Sequence, residues 1–378
     1  MLMRLTKGAM AAVVMVFRAS RASRAFQASQ DSQGPQAPPD PGTPADISTV
    51  AGQYMQNATF LGHGYVVGQA WVDRVPDLAS RMQNTYMVSY WFTNVGSIDS
   101  SGMLIHPETE LVKAAAFLNA VNDYETAAGA AFTVLAWMNN GDSSTLDVTD
   151  GTVRSNIVNE CVKLVSTTAD GSYIAAANRA FDGVVLDIEP TGHNDTYFNA
   201  LKTLMDEIKA AIGTGKLVGF TPPKYGTNNS AWFWSPTYYY YMARHVDILC
   251  AMTYDNDSQS GEAYQAWMAS QATEILGAVS GEYWPDGSHP PPGNGVMIFI
   301  GLPAFPPNAH HNPGYENIQF GAQGLDAAIT NLINAGDPSQ GFFQGAAVFL
   351  HTDGTGNDGY ASWAADWWWF GRYWLAAW

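Results

Sequence analysis

A chain of 378 residues, 47% of them hydrophobic, can fill one large core or two ordinary ones. Its 34 acidic side chains outnumber 17 basic ones, and the net charge of −17 excludes the basic surfaces on which nucleic acid or an anionic membrane is held through counterion release. Two cysteines rule out a disulfide-built scaffold, while 13 Trp, 18 Tyr and 17 Phe suit packing in a core and stacking on flat neutral ligands such as sugar rings.

In chain order, basic residues come first: Arg4, Lys7, Arg18, Arg21 and Arg24 all precede the first acid, Asp31. An apolar run from Ala9 to Phe17 and a small-residue region follow the first of them, so residues 1–29 read as a secretory leader, with an organelle transit peptide as the alternative. The run is too short to span a bilayer, which takes about 20 residues. Residues 30–50, with Pro35, Pro38, Pro39, Pro41 and Pro44, form a spacer that cannot build a core. Export is therefore expected, and no membrane insertion of the mature chain.

From residue 51 to 378 apolar runs alternate with helical patterns and no further linker intervenes. The predicted strands are Gly64–Trp71, Tyr86–Phe92, Phe132–Trp137, Phe181–Ile188, Leu217–Thr221, Ile248–Tyr254, Val296–Gly301 and Gly345–Leu350. Helices are expected over Glu108–Val121, Val153–Val165 with an alanine-rich approach at Ile174–Ala180, Tyr197–Ile212, Gln265–Val279 and Leu325–Ala335. Eight such units imply a single α/β domain, a closed (β/α)8 TIM barrel. A doubly wound open sheet is the alternative, without a GxGxxG after the first strand to support a nucleotide site. The segment from Trp363 to Trp378 reads as an aromatic helix packed on the outer wall.

The fourth strand carries the chemistry. In Asp182-Gly183-Val184-Val185-Leu186-Asp187-Ile188-Glu189-Pro190, side chains two apart share a face, so Val185, Asp187 and Glu189 point one way and Val184, Leu186 and Ile188 the other. Two carboxylates at the mouth of an apolar strand are costly unless paired or used. One of them, in a partly apolar place beside the other, has its pKa raised and can donate a proton near neutral pH. Trp232 and Trp234, in a loop after the fifth strand, offer a stacking platform at the face where barrel sites lie. Cys161 and Cys250 read as buried thiols, and the histidines lack ligand spacing, so neither a metal nor another cofactor is expected.

Together with Met252-Thr253-Tyr254-Asp255 at the sixth strand's end, the motif resembles glycoside hydrolase family 18, the chitinases and endo-β-N-acetylglucosaminidases, whose signatures are DGxDxDxE and MxYD. The resemblance implies Glu189 as general acid and later base, Asp187 as the group orienting the substrate's acetamide, and Tyr254 as its hydrogen-bond donor. It implies Asp182, Met252 and Asp255 around the bound sugar and Phe349, where the family tends to place a Trp, beneath it. Val185 stands where the family usually has an acid. The expected partner is an oligo- or polysaccharide, cut with retention of configuration. A sugar-binding barrel without activity, and a glycosidase for a non-acetylated sugar, are the alternatives.

Overall fold

In the computed structural model the described residues are 56–140, 146–189, 194–284, 286–293, 295–305, 307–351 and 367–375. The expected leader and the expected spacer both lie outside them. Eight parallel strands close into a barrel: β1 (Asn57–Leu61), β2 (Val88–Ser97), β3 (Thr133–Asn139), β4 (Gly183–Asp187), β5 (Leu217–Phe220), β6 (Ile248–Ala251), β7 (Met297–Pro303) and β8 (Phe343–His351), each paired with the next and β8 with β1. Ala58 pairs with Ala347 and Thr59 with Val348 at that closing seam. Around them lie α1 (Gly64–Val67), α2 (Gln69–Val72), α3 (Val75–Asn84), α4 (Pro107–Glu110), α5 (Ala114–Ala128), α6 (Gly151–Val165), α7 (Asp195–Ile212), α8 (Pro236–Met242), α9 (Gly261–Ser280), α10 (Ile318–Ala335) and α11 (Trp367–Tyr373).

The strands are apolar throughout because both faces are covered. Val184, Leu186 and Ile188 face the helices, whereas Val185 faces inward with Phe60, Phe92, Leu135, Trp137, Ile248, Cys250 and Phe299. The interior is packed rather than open: the Phe60 ring meets those of Phe92 and Trp137 edge to face, each at 5.0 Å. Four of the long helices begin on side-chain caps. Asp150 accepts from Thr152 N, Asn194 from Tyr197 N, Ser260 from Ala263 N and Asn317 from Phe320 N. Gly183 opens β4 because a Cβ there would stand 2.0 Å from the carbonyl oxygen of Leu217.

Several expectations are corrected. The first strand is Asn57–Leu61, and the predicted Gly64–Trp71 run is helical instead. Trp71 folds back on the turn, so that a Cβ on Gly64 would lie 2.5 Å from its indole, a contact that an extended run cannot make. The helix expected at Glu108–Val121 is two, α4 and α5, and Ile174–Ala180 forms turns. α11 packs against α10 as expected of an outer-wall helix, and beyond it Trp374 is fully buried at the foot of the seam, where Nε1 donates to Asn57 Oδ1 at 2.9 Å. Asn57 is itself fully buried, so the Asn57-Ala58-Thr59 sequon is inaccessible to glycosylation in the folded chain. Cys161 and Cys250 are both buried and unbridged. Among the described residues no helix is long and apolar enough to cross a membrane.

Candidate active site

β4 ends at the C-terminal mouth of the barrel, and its alternation brings Asp187 and Glu189 there above inward-facing Val185. Asp187 is 8% exposed. Its Oδ1 accepts from Thr221 Oγ1 at 2.7 Å, just beyond β5, and its Oδ2 from Trp137 Nε1 at 3.1 Å, on β3. Burial raises its pKa, and these two donors oppose the rise. The backbone of Glu189 is clamped by Asn140, whose Oδ1 accepts from Glu189 N at 3.0 Å while its Nδ2 donates to Glu189 O. The Glu189 carboxyl is pushed up to about 8 by burial first and then by the charges of Asp187 and Asp255, with Lys224 pulling the other way. Glu189 is therefore protonated at neutral pH, whereas Asp187 is supplied with donors for its ionised form.

Met252, Tyr254, Phe305 and Phe349 make the apolar wall. The Tyr254 and Phe349 rings stack at 5.5 Å, and Phe305 meets Tyr254 edge to face at 5.3 Å. Burial and the neighbouring carboxylates hold the Tyr254 hydroxyl far above its usual range, so it is a donor at any ordinary pH. Asp255 sits in the left-handed region at φ 56°. Its carbonyl accepts from Lys224 Nζ at 2.6 Å and its Oδ1 from Asn308 Nδ2 at 3.3 Å. Burial raises the Asp255 pKa as well.

Next to Asp255 lie His311 and Glu316, both buried. His311 Nδ1 is 3.4 Å from a Glu316 oxygen and 3.9 Å from Asp255 Oδ1. Glu316 accepts from Ser258 N at 3.0 Å, tying the loop after β7 to the loop after β6. Among the described residues, Asp255, His311 and Glu316 are the group whose donor atoms converge closely enough to hold a cation, within 4.8 Å of one another. The Lys224 ammonium already acts on both carboxylates. Sequence reasoning did not single out this trio, because Asp255 is far along the chain from His311 and Glu316 and the three share no ligand spacing.

Two expected binding residues are elsewhere. Asp182 lies at the opposite, N-terminal end of β4, where Oδ2 accepts from Val134 N at 2.8 Å and from Arg179, which also holds Glu125. It closes the foot of the barrel and touches no ligand at the mouth. Trp234 is fully buried, stacked on Phe220 at 5.4 Å and edged by Phe198, Tyr238 and Tyr239, so it offers no face to a sugar. Trp232 is 49% exposed beside Phe233. The short ribbon pairing Lys224–Tyr225 with Phe233–Trp234 places the Lys224 ammonium 5.2 Å from the Phe233 ring. Trp137, Thr221, Asn140 and Lys224 were missed. The inward alternation Leu135–Trp137 and Leu217–Thr221 is the only signal that pointed to the first two.

No protein-family model and no curated protein matches the sequence. Solved structures do match the fold. A family GH18 chitinase from Chromobacterium violaceum is 14% identical, with 77% of this chain and 76% of that one covered and a TM-score of 0.50. A class V chitinase from Pseudomonas fluorescens Pf-5 is 13% identical over 83% and 98% of the two chains, TM-score 0.46. A xylanase and α-amylase inhibitor protein from Scadoxus multiflorus is 12% identical over 78% and 92%, TM-score 0.47. The fold of the chain is the GH18 chitinase-like (β/α)8 barrel.

Proposed function

We propose that this chain is a retaining glycoside hydrolase that cleaves β-linked N-acetylglucosamine-containing glycans, chitin or a related polymer, by substrate-assisted catalysis. One observation carries the reading: Glu189 is held protonated to about pH 8 beside Asp187, a buried carboxylate with a neutral donor on each oxygen. Two adjacent acids with divergent environments are what acid catalysis next to a developing cation requires.

Glu189 protonates the glycosidic oxygen as the bond from the anomeric carbon breaks. The acetamido oxygen of the same sugar attacks that carbon from the other side, and the resulting oxazolinium ion places its positive charge near Asp187. Tyr254 donates to the acetamido oxygen and aligns it. Glu189, now ionised, takes a proton from water, whose oxygen joins the anomeric carbon and releases the sugar with retained configuration. Met252, Asp255 and Phe349 shape the subsite, and Trp232 stacks on a neighbouring sugar. The reading includes export of the chain with residues 1–29 removed, which N-terminal sequencing of secreted protein tests.

Product analysis on chitin oligomers, N-glycopeptides and neutral β-glucans, with wild type and Glu189→Gln, tests the activity. Release from acetylated substrates by wild type alone, and inhibition by a thiazoline mimic of the oxazolinium ion, are expected. Cleavage of glucans but not acetylated sugars sinks the substrate-assisted route, and chitin binding without any cleavage makes the chain a binding protein.

A further inference from the structure

Among the described residues no basic side chain reaches Asp187, although it is nearly inaccessible to water. An anion so placed is held by dipoles alone. Two do so, one per oxygen, from the strands that flank β4 on either side: Trp137 on β3 and Thr221 at the end of β5. Below them Val185 is fully buried in an apolar layer with Leu135 and Ile248 and offers no proton partner. Among the described residues the titratable groups that face Asp187 are Glu189, two residues past the end of β4, and Tyr254 and Cys250 from β6 and its end, with Asp255 and Lys224 acting on Glu189 beyond.

We infer that Trp137 and Thr221 are positioning residues that pin Asp187 as a fixed, ionised group under the reacting sugar, so that the mobile proton of the site is carried by Glu189 alone. The inference deepens the proposed function and rests on it for the catalytic consequence, though the clamp itself does not. The two donors differ in strictness. An indole N–H donates only, so a protonated Oδ2 would face it with a clash of hydrogens. The Thr221 hydroxyl can instead turn toward Leu186 O, 3.4 Å away, and accept. With both oxygens held the carboxylate cannot swing toward Glu189, and its charge stays where it keeps that carboxyl protonated.

Thr221→Val keeps the side-chain shape and removes the donor, Thr221→Ser restores the donor, and Trp137→Phe removes the other. The first readout needs no substrate: 13C-carboxyl NMR titration of Asp187 in the intact chain, its resonance identified by Asp187→Asn. The expected result is a midpoint moved to higher pH in Thr221→Val and Trp137→Phe, with Thr221→Ser close to wild type. The second is kinetic. In Thr221→Val, kcat on a chitin oligomer falls about 10- to 100-fold, the range set by one hydrogen bond to a charged group. KM stays within about twofold and the acid limb of kcat/KM moves up in pH, while the alkaline limb, set by Glu189 with Asp187 already ionised, keeps its place. Unchanged Asp187 midpoints in both donor-removing variants overturn the clamp. Activity lost only in step with the melting temperature, with the acid limb unmoved, overturns the positioning role. If wild type cleaves no acetylated glycan the proposed function fails, and the titration still decides the clamp.

Discussion

The two ends of β4 carry the same kind of side chain and treat it in opposite ways. At the foot, Asp182 is paired with Arg179, a largely buried guanidinium that also holds Glu125. At the mouth, Asp187 and Glu189 are set in a more buried place with no cation in contact among the described residues; the dipoles of Trp137 and Thr221 hold the Asp187 carboxylate, Asn140 holds the Glu189 backbone, and Lys224 acts from a distance. Four residues of strand separate a carboxylate in contact with a cation from a pair that touches none among the described residues. The first arrangement fastens the barrel. The second holds a proton out of its ordinary range, which works against stability and is what the proposed reaction asks of its acid.

The largest expected effect breaks the mouth alone. Glu189→Gln lowers hydrolysis of chitin oligomers by about 10²- to 10⁴-fold, the usual contribution of general acid catalysis, while Asp182→Asn leaves the rate per folded molecule within about twofold, as initial-rate assays on both would show. Breaking the foot does the reverse. Arg179→Met strands Glu125 and Asp182, and urea unfolding should report a loss of about 1–3 kcal/mol, kept low by the partial exposure of these groups, with kcat unchanged.

A third test uses the sign of the Glu189 shift. Its folded pKa of about 8 lies above the ordinary 4.5, so the native state binds more protons than the unfolded state between those values and stability falls as pH rises through that window. Thermal melts should therefore find Glu189→Gln more stable than wild type by about 1–2 kcal/mol at pH 9 and nearly equal to it below pH 4.5. Equal curves at both pH values would remove the contrast between the two ends. The smallest effect is that of Lys224→Met. Lys224 opposes the rise of Glu189, so losing it moves the alkaline limb of the rate profile upward; a downward move would show that the ammonium does not act on the acid.

Much of this contrast was legible in the chain because strand periodicity decides which face a side chain takes. Val185, Asp187 and Glu189 on one side, and Val184, Leu186 and Ile188 on the other, follow from alternation alone. Alternation does not say which end of a strand meets a cation, so Asp182 was expected near the sugar although Arg179, three residues earlier, was its partner. It is equally silent about register. Asn139 pairs with Asp187 and Trp137 with Val185, and only that pairing sets an indole N–H against a carboxylate 50 residues away. Trp234 was misjudged because aromatic residues after a strand look alike in sequence whether they stack on a ligand or, as here, on Phe220. The first strand was missed because Asn57-Ala58-Thr59-Phe60-Leu61 is short and polar at its start, and the polarity of Asn57 is consumed by Ala346 N and the Trp374 indole.

That last pair of bonds bears on how the chain is made. Asn57 waits for a backbone partner 289 residues downstream, and Trp374 arrives later still. At about 5–20 residues per second of synthesis, β1 has one open edge for about 15–60 s before β8 exists to cover it. Through that interval the nascent sheet is an unfinished curve with an unpaired flank, the kind of edge that recruits strands from other chains. Slower translation or a smaller chaperone supply is therefore expected to lower the share of the chain that reaches its closed form.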